Sequence, residues 1–550
     1  MLTTLCCCLA LAAAPADQFM TWVSERPAAQ VLPASIGTRL GGHRLLRRAN
    51  ALPVPPYLKW TDAVQLDNGT VWAGSENGLM CHAPGWAHWR LFHSRRWLPD
   101  DHVLKLSVIS ETEVWVETAA GLTRLVRRPE TLRHKCEVVH DQLRRHHVRF
   151  GLVGSIDLKS PGTLHAGAHQ PDSDNDGLWT SLYVATESFR YGTTGDPSAR
   201  RNAWESMQAL MFLEKVTGAP GFVARSVVPI SIDKEGQFPW ERSQDGKWWW
   251  KGDTSSDELD GHFFAYSVFY DLAATDQQKK QIRPVVQRIM DRVIDGGWYY
   301  RDPSGRITTW GRWAPERLNQ DPEWIAERGL NSLEILSYLK TTYHIIGDPR
   351  YADAARELIE KHGYAMNTIR LKMTKGVDQE VNHSDDELAF IAYYPILRYE
   401  RDPKLRTIYS MSLERSWIEV RPERSPFFNF IYAACRQAAD WPHPQRRPNK
   451  PLIAPGDYDR EPSLQWFREI PSDLIEWTVV NSTRHDLGRV FLNRHGQLCT
   501  TRLLPVTERR LMKWNGDPFA LDGGRGGRSR EDGTFILLPY WMGRYHRLFD

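Results

Sequence analysis

Three stretches of the sequence share one pattern: an aromatic turn, the dipeptide Asp-Pro, and then an amphipathic segment. Aspartate is a preferred N-cap residue, and proline in the first turn removes an N–H group that would have no partner inside the helix. The pattern therefore predicts helix hairpins that repeat along the chain, with a looser fourth copy at residues 270–294. The three dipeptides are Asp196-Pro197, Asp348-Pro349 and Asp402-Pro403.

The helix predicted before each of these turns begins after a polar loop. Repeated helix hairpins are typical of an α/α toroid, in which one helix of each pair lines the inside of a ring. In such a ring the loops that lead into the inner helices meet at one mouth. An open α-solenoid is the alternative arrangement. The predicted inner segments are residues 172–189, 253–272, 327–343 and 382–399.

Segments of different character flank the helical body. Residues 68–82 and 111–126 both contain Val-Trp followed by Gly-Leu, a pattern typical of propeller-blade strands. Two blades cannot close a propeller, so this region predicts a small β appendage. The C-terminal part has strand-like pieces, which include residues 533–541. The fold class is therefore mainly α, with a signal peptide (1–16), a propeller-blade-like β region (17–127), an α/α toroid (128–441) and a β-rich C-terminal segment (442–550).

The first residues form an apolar stretch that ends in small residues, which is typical of a secretory signal. We therefore expect an exported protein, secreted or periplasmic. No other segment is long and apolar enough to span a bilayer. The four cysteines after the signal are scattered, which predicts neither a zinc site nor a dense disulfide framework. The net charge of +3 gives no indication of nucleic-acid binding.

Two of the polar loops carry the same Ser-x-x-Glu motif, at residues 255–258 and 384–387. The motif predicts a capping box, in which the serine and the glutamate satisfy backbone groups at a helix start. Capping does not require the three further acids in these loops, Asp257, Asp385 and Asp386. We expect these three at the mouth of the ring, with Asp257 and Asp386 in catalysis and Asp385 in contact with substrate.

A second group of residues suits the removal of a C5 proton from a uronic acid. That reaction needs a base of tuned pKa and donors that neutralise the sugar carboxylate. His383 or His262 is the expected base, and Tyr266, on the same helix face as His262, is the expected acid. Asn382 and Arg225 would hold the carboxylate. A structural hydrogen bond is the alternative role of each histidine.

Residues 172–176 imitate the first half of a calcium-binding loop. A regular EF-hand is excluded, because Tyr183 stands where a bidentate glutamate belongs. Direct substrate contact is the favoured role and a looser calcium site is the alternative; no other metal or cofactor is indicated. The expected substrate contacts are Asp174, Asn175, Asp176 and Trp179.

The long loop at residues 236–258 is rich in tryptophan and precedes a predicted inner helix. Aromatic rings stack on sugar rings, so Trp240 and Trp248 are candidates for sugar binding. The expected partner is an acidic polysaccharide or oligosaccharide.

Several stretches resemble a group of bacterial secreted proteins with propeller-like N-termini and α/α-toroid bodies. They are DSDNDGLWTSLYVATESFRYGTTGDPSAR, SSDELDGHFFAY, KHGYAMNTIRLKM, NHSDDELAFIAYYPILRYE and LLPYWMGRYH. Within carbohydrate-active enzymes they are most similar to polysaccharide lyases of the L-rhamnose-α-1,4-D-glucuronate type. The resemblance covers about residues 150–440 and the C-terminal end, and it transfers no catalytic motif residue by residue.

Three functions follow as hypotheses. The leading one, which the resemblance implies, is β-elimination on a uronic-acid-containing polysaccharide. The second is glycoside hydrolysis in which two carboxylates act, for instance Asp257 and Asp386. The third is a non-catalytic glycan-binding protein.

Overall fold

The computed structural model describes residues 18–27, 31–40, 52–164, 168–371, 382–437 and 458–549. The predicted signal peptide at residues 1–16 lies outside these ranges. No helix within them is long and apolar enough to cross a membrane. Cys81, Cys136, Cys435 and Cys499 are buried and free.

Two antiparallel sheets form the N-terminal part, with strand orders β2-β3-β4-β5-β6 and β1-β9-β8-β7. Both predicted hairpins are confirmed: Trp72 lies in β4 and Trp115 in β8, and the Gly-Leu pairs begin β5 and β9. The sheets share an apolar core in which the rings of Trp22 and Trp72 are 5.6 Å apart. The strands are β1 (Gln18–Glu25), β2 (Thr38–Arg39), β3 (Asp62–Gln65), β4 (Val71–Ser75), β5 (Gly78–His82), β6 (Arg90–Phe92), β7 (Val103–Ser110), β8 (Glu113–Thr118) and β9 (Gly121–Thr131).

Twelve helices of ten or more residues lie in the described part of the chain. They are α1 (Leu132–His146), α2 (Asp176–Thr194), α3 (Pro197–Lys215), α4 (Ser256–Leu272), α5 (Asp276–Asp295), α6 (Arg328–Ile346), α7 (Pro349–His362), α8 (His383–Tyr399), α9 (Pro403–Val420), α10 (Pro426–Gln437), α11 (Arg460–Glu469) and α12 (Thr534–Tyr545). Shorter helical segments are Ser94–Trp97, Pro315–Gln320, Pro322–Trp324, Tyr364–Asn367, Thr368–Arg370 and Arg421–Glu423.

The even-numbered helices contact one another in a closed cycle. α2 packs on α4, α4 on α6, α6 on α8, α8 on α10, α10 on α12, and α12 packs back on α2. The odd-numbered helices pack outside this cycle, since α3 contacts α2, α7 contacts α6, and α1 contacts α12. The first and last helices of an open array would not touch. We call the even-numbered set the inner helices.

The Asp-Pro pattern has the predicted cause. The side chains of Asp196, Asp348 and Asp402 each accept a hydrogen bond from the backbone N–H two residues later, at 2.8, 2.9 and 2.7 Å. The proline that follows each aspartate lies in the first turn of α3, α7 and α9. The looser fourth copy begins with a true capping box between Thr275 and Gln278.

The segment at residues 533–541, predicted as a strand, is instead the start of α12. A continuous apolar run fits a buried strand and a buried helix equally well, so periodicity does not separate them. Both α11 and α12 lie in the segment predicted to be β-rich. The remaining strands are short: β10 (Val148–Arg149), β11 (Leu152–Val153), β12 (Ile156–Asp157), β13 (Ser226–Pro229), β14 (Trp240–Arg242), β15 (Trp248–Lys251), β16 (Tyr299–Arg301), β17 (Ile307–Arg312), β18 (Val479–Val480), β19 (Val490–Leu492), β20 (Leu498–Thr500), β21 (Asp522–Gly523) and β22 (Ser529–Arg530).

The cap at α9 gives a direct test. Asp402→Ala should lower the free energy of unfolding by about 1 kcal/mol, because the backbone N–H groups of Lys404 and Leu405 lose their acceptor. Asp402→Asn keeps an acceptor oxygen and should cost clearly less. Urea denaturation measures both; equal losses in the two variants would contradict the cap and point to the charge alone.

Candidate active site at the N-terminal ends of the inner helices

Direct hydrogen bonds join the N-terminal ends of α2 and α4. Asn175, the residue before α2, donates from Nδ2 to Asp257 Oδ2 over 3.1 Å. Arg225 donates from Nη2 to Asn175 Oδ1 at 2.8 Å and from Nε to the backbone carbonyl of Asp174 at 2.6 Å. These bonds gather four of the predicted residues at the end of the cycle where the inner helices begin, which we call the mouth.

Asp257 lies in the first turn of α4 and is partly exposed. Burial of its surroundings raises the pKa of its carboxyl group, although the charge of Arg225 and the hydrogen bond from Asn175 act in the opposite direction. Asp257 therefore holds its proton more tightly than an ordinary aspartic acid. That is the property required of a general acid.

Four further carboxyl groups lie deeper between the inner helices. Glu258 and Asp260 on α4, Glu334 on α6 and Glu387 on α8 are each at most 1% exposed. Burial raises the pKa of all four, and the charge of Asp257 raises each of them further. The pKa of Glu387 rises to about 8. Burial therefore disfavours the charged form of each of these acids.

These four acids are not recognisable as a group in the sequence. The prediction of Glu258 and Glu387 as members of capping boxes is wrong: the N-cap residues of α4 and α8 make no side-chain cap bond, and both glutamates are buried. The Ser-x-x-Glu pattern does not distinguish a glutamate that binds the backbone at the helix start from one whose side chain is buried in the protein. Asp260 and Glu334 could have been predicted as buried acids, because each is an acidic residue within an apolar helical segment.

The close approach of α2 to α4 depends on Gly177. A Cβ atom at this position would lie 2.0 Å from Glu258 Oε2 and 2.9 Å from His262 Nε2. A glycine here therefore lets the two inner helices meet with the glutamate and the histidine between them.

His262 and Tyr266 form a buried pair and do not reach the mouth. Both are fully buried, and His262 Nδ1 lies 3.1 Å from the Tyr266 hydroxyl. Burial lowers the pKa of His262 to about 3 and raises the pKa of Tyr266. Side chains with no exposed surface do not contact a polysaccharide in this conformation, and the hydrogen bond between them fits the structural role that was the alternative. Their roles as base and acid stay a prediction.

The first turn of α8 brings Asp385 close to the buried acids. Asn382, the N-cap residue of α8, donates from Nδ2 to Asp385 Oδ1 at 2.6 Å. The charges of Asp257 and Asp385 both raise the pKa of the buried Glu334. Two partly exposed carboxyl groups from different inner helices therefore act on one interior group.

His383 lies between two carboxyl groups from later parts of the chain. Its Nδ1 is 3.6 Å from Glu423 Oε1, and its Nε2 is 3.8 Å from Asp517 Oδ1. Burial lowers the pKa of His383, but the charges of Glu423, Asp517 and Asp386 outweigh it and the net shift is upward. Glu423 and Asp517 were not among the predicted site residues, because nothing local connects them to α8.

A basic and aromatic surface lies beside the mouth, formed by Trp240, Lys234 and Lys251, and we call it the basic rim. The two ammonium groups are 4.6 and 5.8 Å from the centre of the Trp240 ring. Lys251 also forms a salt bridge with the exposed Asp174, whose backbone carbonyl binds Arg225. The basic rim is therefore continuous with the mouth.

Two predicted substrate contacts also hold the fold together. Asp176 is 1% exposed and accepts hydrogen bonds from Arg149 Nη2 at 2.9 Å and from two serines. Trp248 is partly exposed and packs against Phe150 and Phe212, with ring centres 5.2 and 5.3 Å away. Both side chains stabilise the structure around the mouth, and their contact with substrate stays a prediction.

The calcium alternative at residues 172–176 stays a prediction. Each acid of that loop meets a cation: Asp172 pairs with Lys234, Asp174 with Lys251, and Asp176 with Arg149.

Trp179, one turn into α2, keeps partial exposure. The Lys513 ammonium group lies 4.0 Å from its ring centre and lowers the pKa of Glu387 by its charge. Trp179 is therefore close to the interior acids, with one ring face covered by Lys513.

Gly177→Ala tests the contact between α2 and α4. Because the added methyl group would collide with Glu258 and His262, the free energy of unfolding should fall by about 1–3 kcal/mol. Gly488→Ala is the control, since its Cβ would meet no atom within 4 Å. Equal stability of the two variants in urea denaturation would contradict the close approach.

The buried His262 should make stability fall in acid. Its folded pKa of about 3 lies below its ordinary value of 6.5, so between these values only the unfolded chain takes up the proton. The stability advantage of the wild type over His262→Gln should therefore shrink by about 1.4 kcal/mol per pH unit as the pH falls below 6.5.

Chemical denaturation at several pH values measures this difference. Tyr266→Phe is the control, because it removes the same hydrogen bond without removing the titrating group. A difference between wild type and His262→Gln that does not vary with pH would show that His262 is not held neutral.

Comparisons with known proteins give limited information. No protein-family model and no curated protein matches the chain. Among solved structures it is similar to an unsaturated glucuronyl hydrolase from Streptococcus agalactiae, with 11% identity and a TM-score of 0.34 over 76% of this chain and 92% of that chain. A similarity at this level assigns neither the activity nor the site.

Proposed function

We propose that the protein is a carbohydrate-active enzyme that cleaves a uronic-acid-containing polysaccharide by glycoside hydrolysis, with Asp257 as the proton donor. One observation carries the proposal: Asp257 is a partly exposed carboxyl group of raised pKa, oriented by Asn175 at the mouth. A general acid must hold its proton until the reaction and still reach the substrate. The four buried acids do not meet the second condition, because they are at most 1% exposed.

Asp385 is the proposed second carboxylate. Its charge and that of Asp257 act on the same buried group, Glu334, so both carboxyl groups lie within electrostatic range of one interior position. In the proposed reaction Asp257 protonates the leaving glycosidic oxygen, and Asp385 accepts a proton from the water that attacks the anomeric carbon. The sequence suggested Asp386 as the second catalytic carboxylate. Its carboxyl group lies close to His383 and Glu423.

The basic rim supports an acidic substrate. Lys234 and Lys251 border Trp240, and Arg225 connects this surface to Asn175 at the mouth. Ammonium and guanidinium groups attract a sugar carboxylate, and the partly exposed indole ring of Trp240 offers apolar contact to a sugar ring.

β-Elimination is the second candidate, and the observation that favours it is the position of Arg225. A guanidinium group near Asp257 could neutralise the uronate carboxylate, which elimination requires. Elimination also needs a base, and neither histidine suits that role well. His262 is fully buried, and His383 lies between two carboxyl groups.

The wider setting of the proposal is an exported α/α toroid. The closed cycle of contacts between the inner helices supports the toroid. Export rests on the sequence of residues 1–16 alone.

A panel of glucuronate-containing polysaccharides, including gum arabic, tests the proposal. Hydrolysis should release reducing ends without the ultraviolet absorbance of an unsaturated uronate. Asp257→Asn and Asp385→Asn should each lower the rate about 10²- to 10⁴-fold, because general acid–base catalysis contributes that much. Asp353→Asn, on the surface of α7, is the matched control and should keep full activity.

Other outcomes contradict the proposal in different ways. Ultraviolet absorbance that appears with the reducing ends would replace hydrolysis by elimination. Binding of the polysaccharide without any cleavage would favour a glycan-binding protein. Full activity in Asp257→Asn would remove Asp257 from the catalytic step.

A further inference from the structure

Three potential metal ligands from the start of α8 and the segment Arg421–Glu423 lie close together. They are His383, Asp386 and Glu423, and one ligand atom of each lies within 4.8 Å of the others. Two ligand atoms of a tetrahedral zinc ion are about 3.4 Å apart. The three side chains must therefore move closer together by up to about 1.4 Å to bind one ion.

His383 is buried in this group without a hydrogen bond. Only 10% of its side chain is exposed, and neither ring nitrogen has a hydrogen-bond partner among the described residues. A buried polar atom without a hydrogen bond is costly, because it has lost its contact with water. The contacts of His383 at 3.6 and 3.8 Å to carboxylate oxygens are too long for hydrogen bonds. The imidazole is thus an unsatisfied ligand aimed at carboxylates.

A carboxylate lies on the other side of the His383 imidazole ring. Asp517 Oδ1 lies 3.8 Å from His383 Nε2, while Nδ1 faces Glu423. Asp517 is itself fixed by hydrogen bonds from Asn493 Nδ2 at 3.0 Å and from the backbone N–H of Phe519 at 2.9 Å. A metal-binding histidine commonly directs its second ring nitrogen at such an anchored carboxylate, which sets the tautomer and orients the ring.

The charges of the group also favour a cation. Three carboxyl groups, those of Asp386, Glu423 and Asp517, surround one imidazole. Arg509 lies near Glu423 on another element: burial lowers the pKa of its guanidinium group to about 10, and the charge of Glu423 acts in the opposite direction.

We propose that His383, Asp386 and Glu423 bind a divalent transition-metal ion such as Zn²⁺, with Asp517 as the positioning residue for the imidazole. One imidazole and two carboxylates form a mixed nitrogen and oxygen donor set, which suits borderline ions such as Zn²⁺ and Mn²⁺. The site goes beyond the proposed hydrolysis and does not depend on it, because neither Asp257 nor Asp385 is a ligand. Its three ligands come from two segments of the chain, with no spacing that a sequence motif would record.

Calorimetric titration of the full chain with Zn²⁺, after dialysis against a chelator, tests the site. The wild type should bind one ion per chain at this site, and its thermal midpoint should rise with added Zn²⁺. His383→Gln, Asp386→Asn and Glu423→Gln should each abolish binding at concentrations that saturate the wild type. Asp517→Asn should weaken binding about 10- to 100-fold, as loss of an orienting carboxylate does.

Asp385→Asn is the matched control, since it removes a neighbouring acid on the same helical turn and should bind Zn²⁺ as the wild type does. Circular dichroism without metal establishes that each variant is folded, and the three ligand variants test the site independently. Mn²⁺ paramagnetic resonance provides a second probe. The absence of stoichiometric binding of both ions to the wild type, or undiminished binding in the folded ligand variants, would overturn the site and leave His383 in ion pairs only.

Discussion

Burial of carboxyl groups between the inner helices sets the electrostatics of the whole mouth. An ionised carboxylate without a partner is very unfavourable in a protein interior, so burial disfavours the charged forms of Glu258, Asp260 and Glu334. Their pKa values rise through burial and through the charge of Asp257 at the edge of the group. Asp257 therefore interacts electrostatically with the buried acids, while its own side chain stays partly exposed. This combination suits a proton donor.

The geometry around Asp257 depends on two local features that act together. Gly177 lets α2 and α4 approach until no room for a side chain is left between them. Arg225 then binds the residues just before α2, and through Asn175 it fixes the carboxyl group at the start of α4. Arg225, just before β13, and Asn175, just before α2, thus help to orient Asp257 at the start of α4.

Helix caps were predictable from the sequence, because they depend on neighbouring residues. Which side chains point into the protein was not predictable. The caps at Asp196, Asp348 and Asp402 follow from interactions within a few residues, so their pattern is readable in the chain. The glutamates of the Ser-x-x-Glu motifs have the same local signature whether they cap or turn inward. Asn175, Arg225 and Asp257 were found because polar groups at inner-helix starts converge, whereas the contacts of His383 with Glu423 and Asp517 depend on segments far apart in sequence.

The closed cycle has a consequence for how the chain reaches its native state. α12, the last described helix, packs between α10 and α2, so the contact that completes the ring joins segments separated by most of the helical body. Such non-local contacts form slowly, since a long loop must be ordered before the contact stabilises it. During synthesis the apolar surface of α2 that α12 covers has no partner until the C-terminal segment leaves the ribosome. Apolar surface that stays uncovered during folding promotes aggregation, so the last helix to be synthesised also protects the first of the cycle.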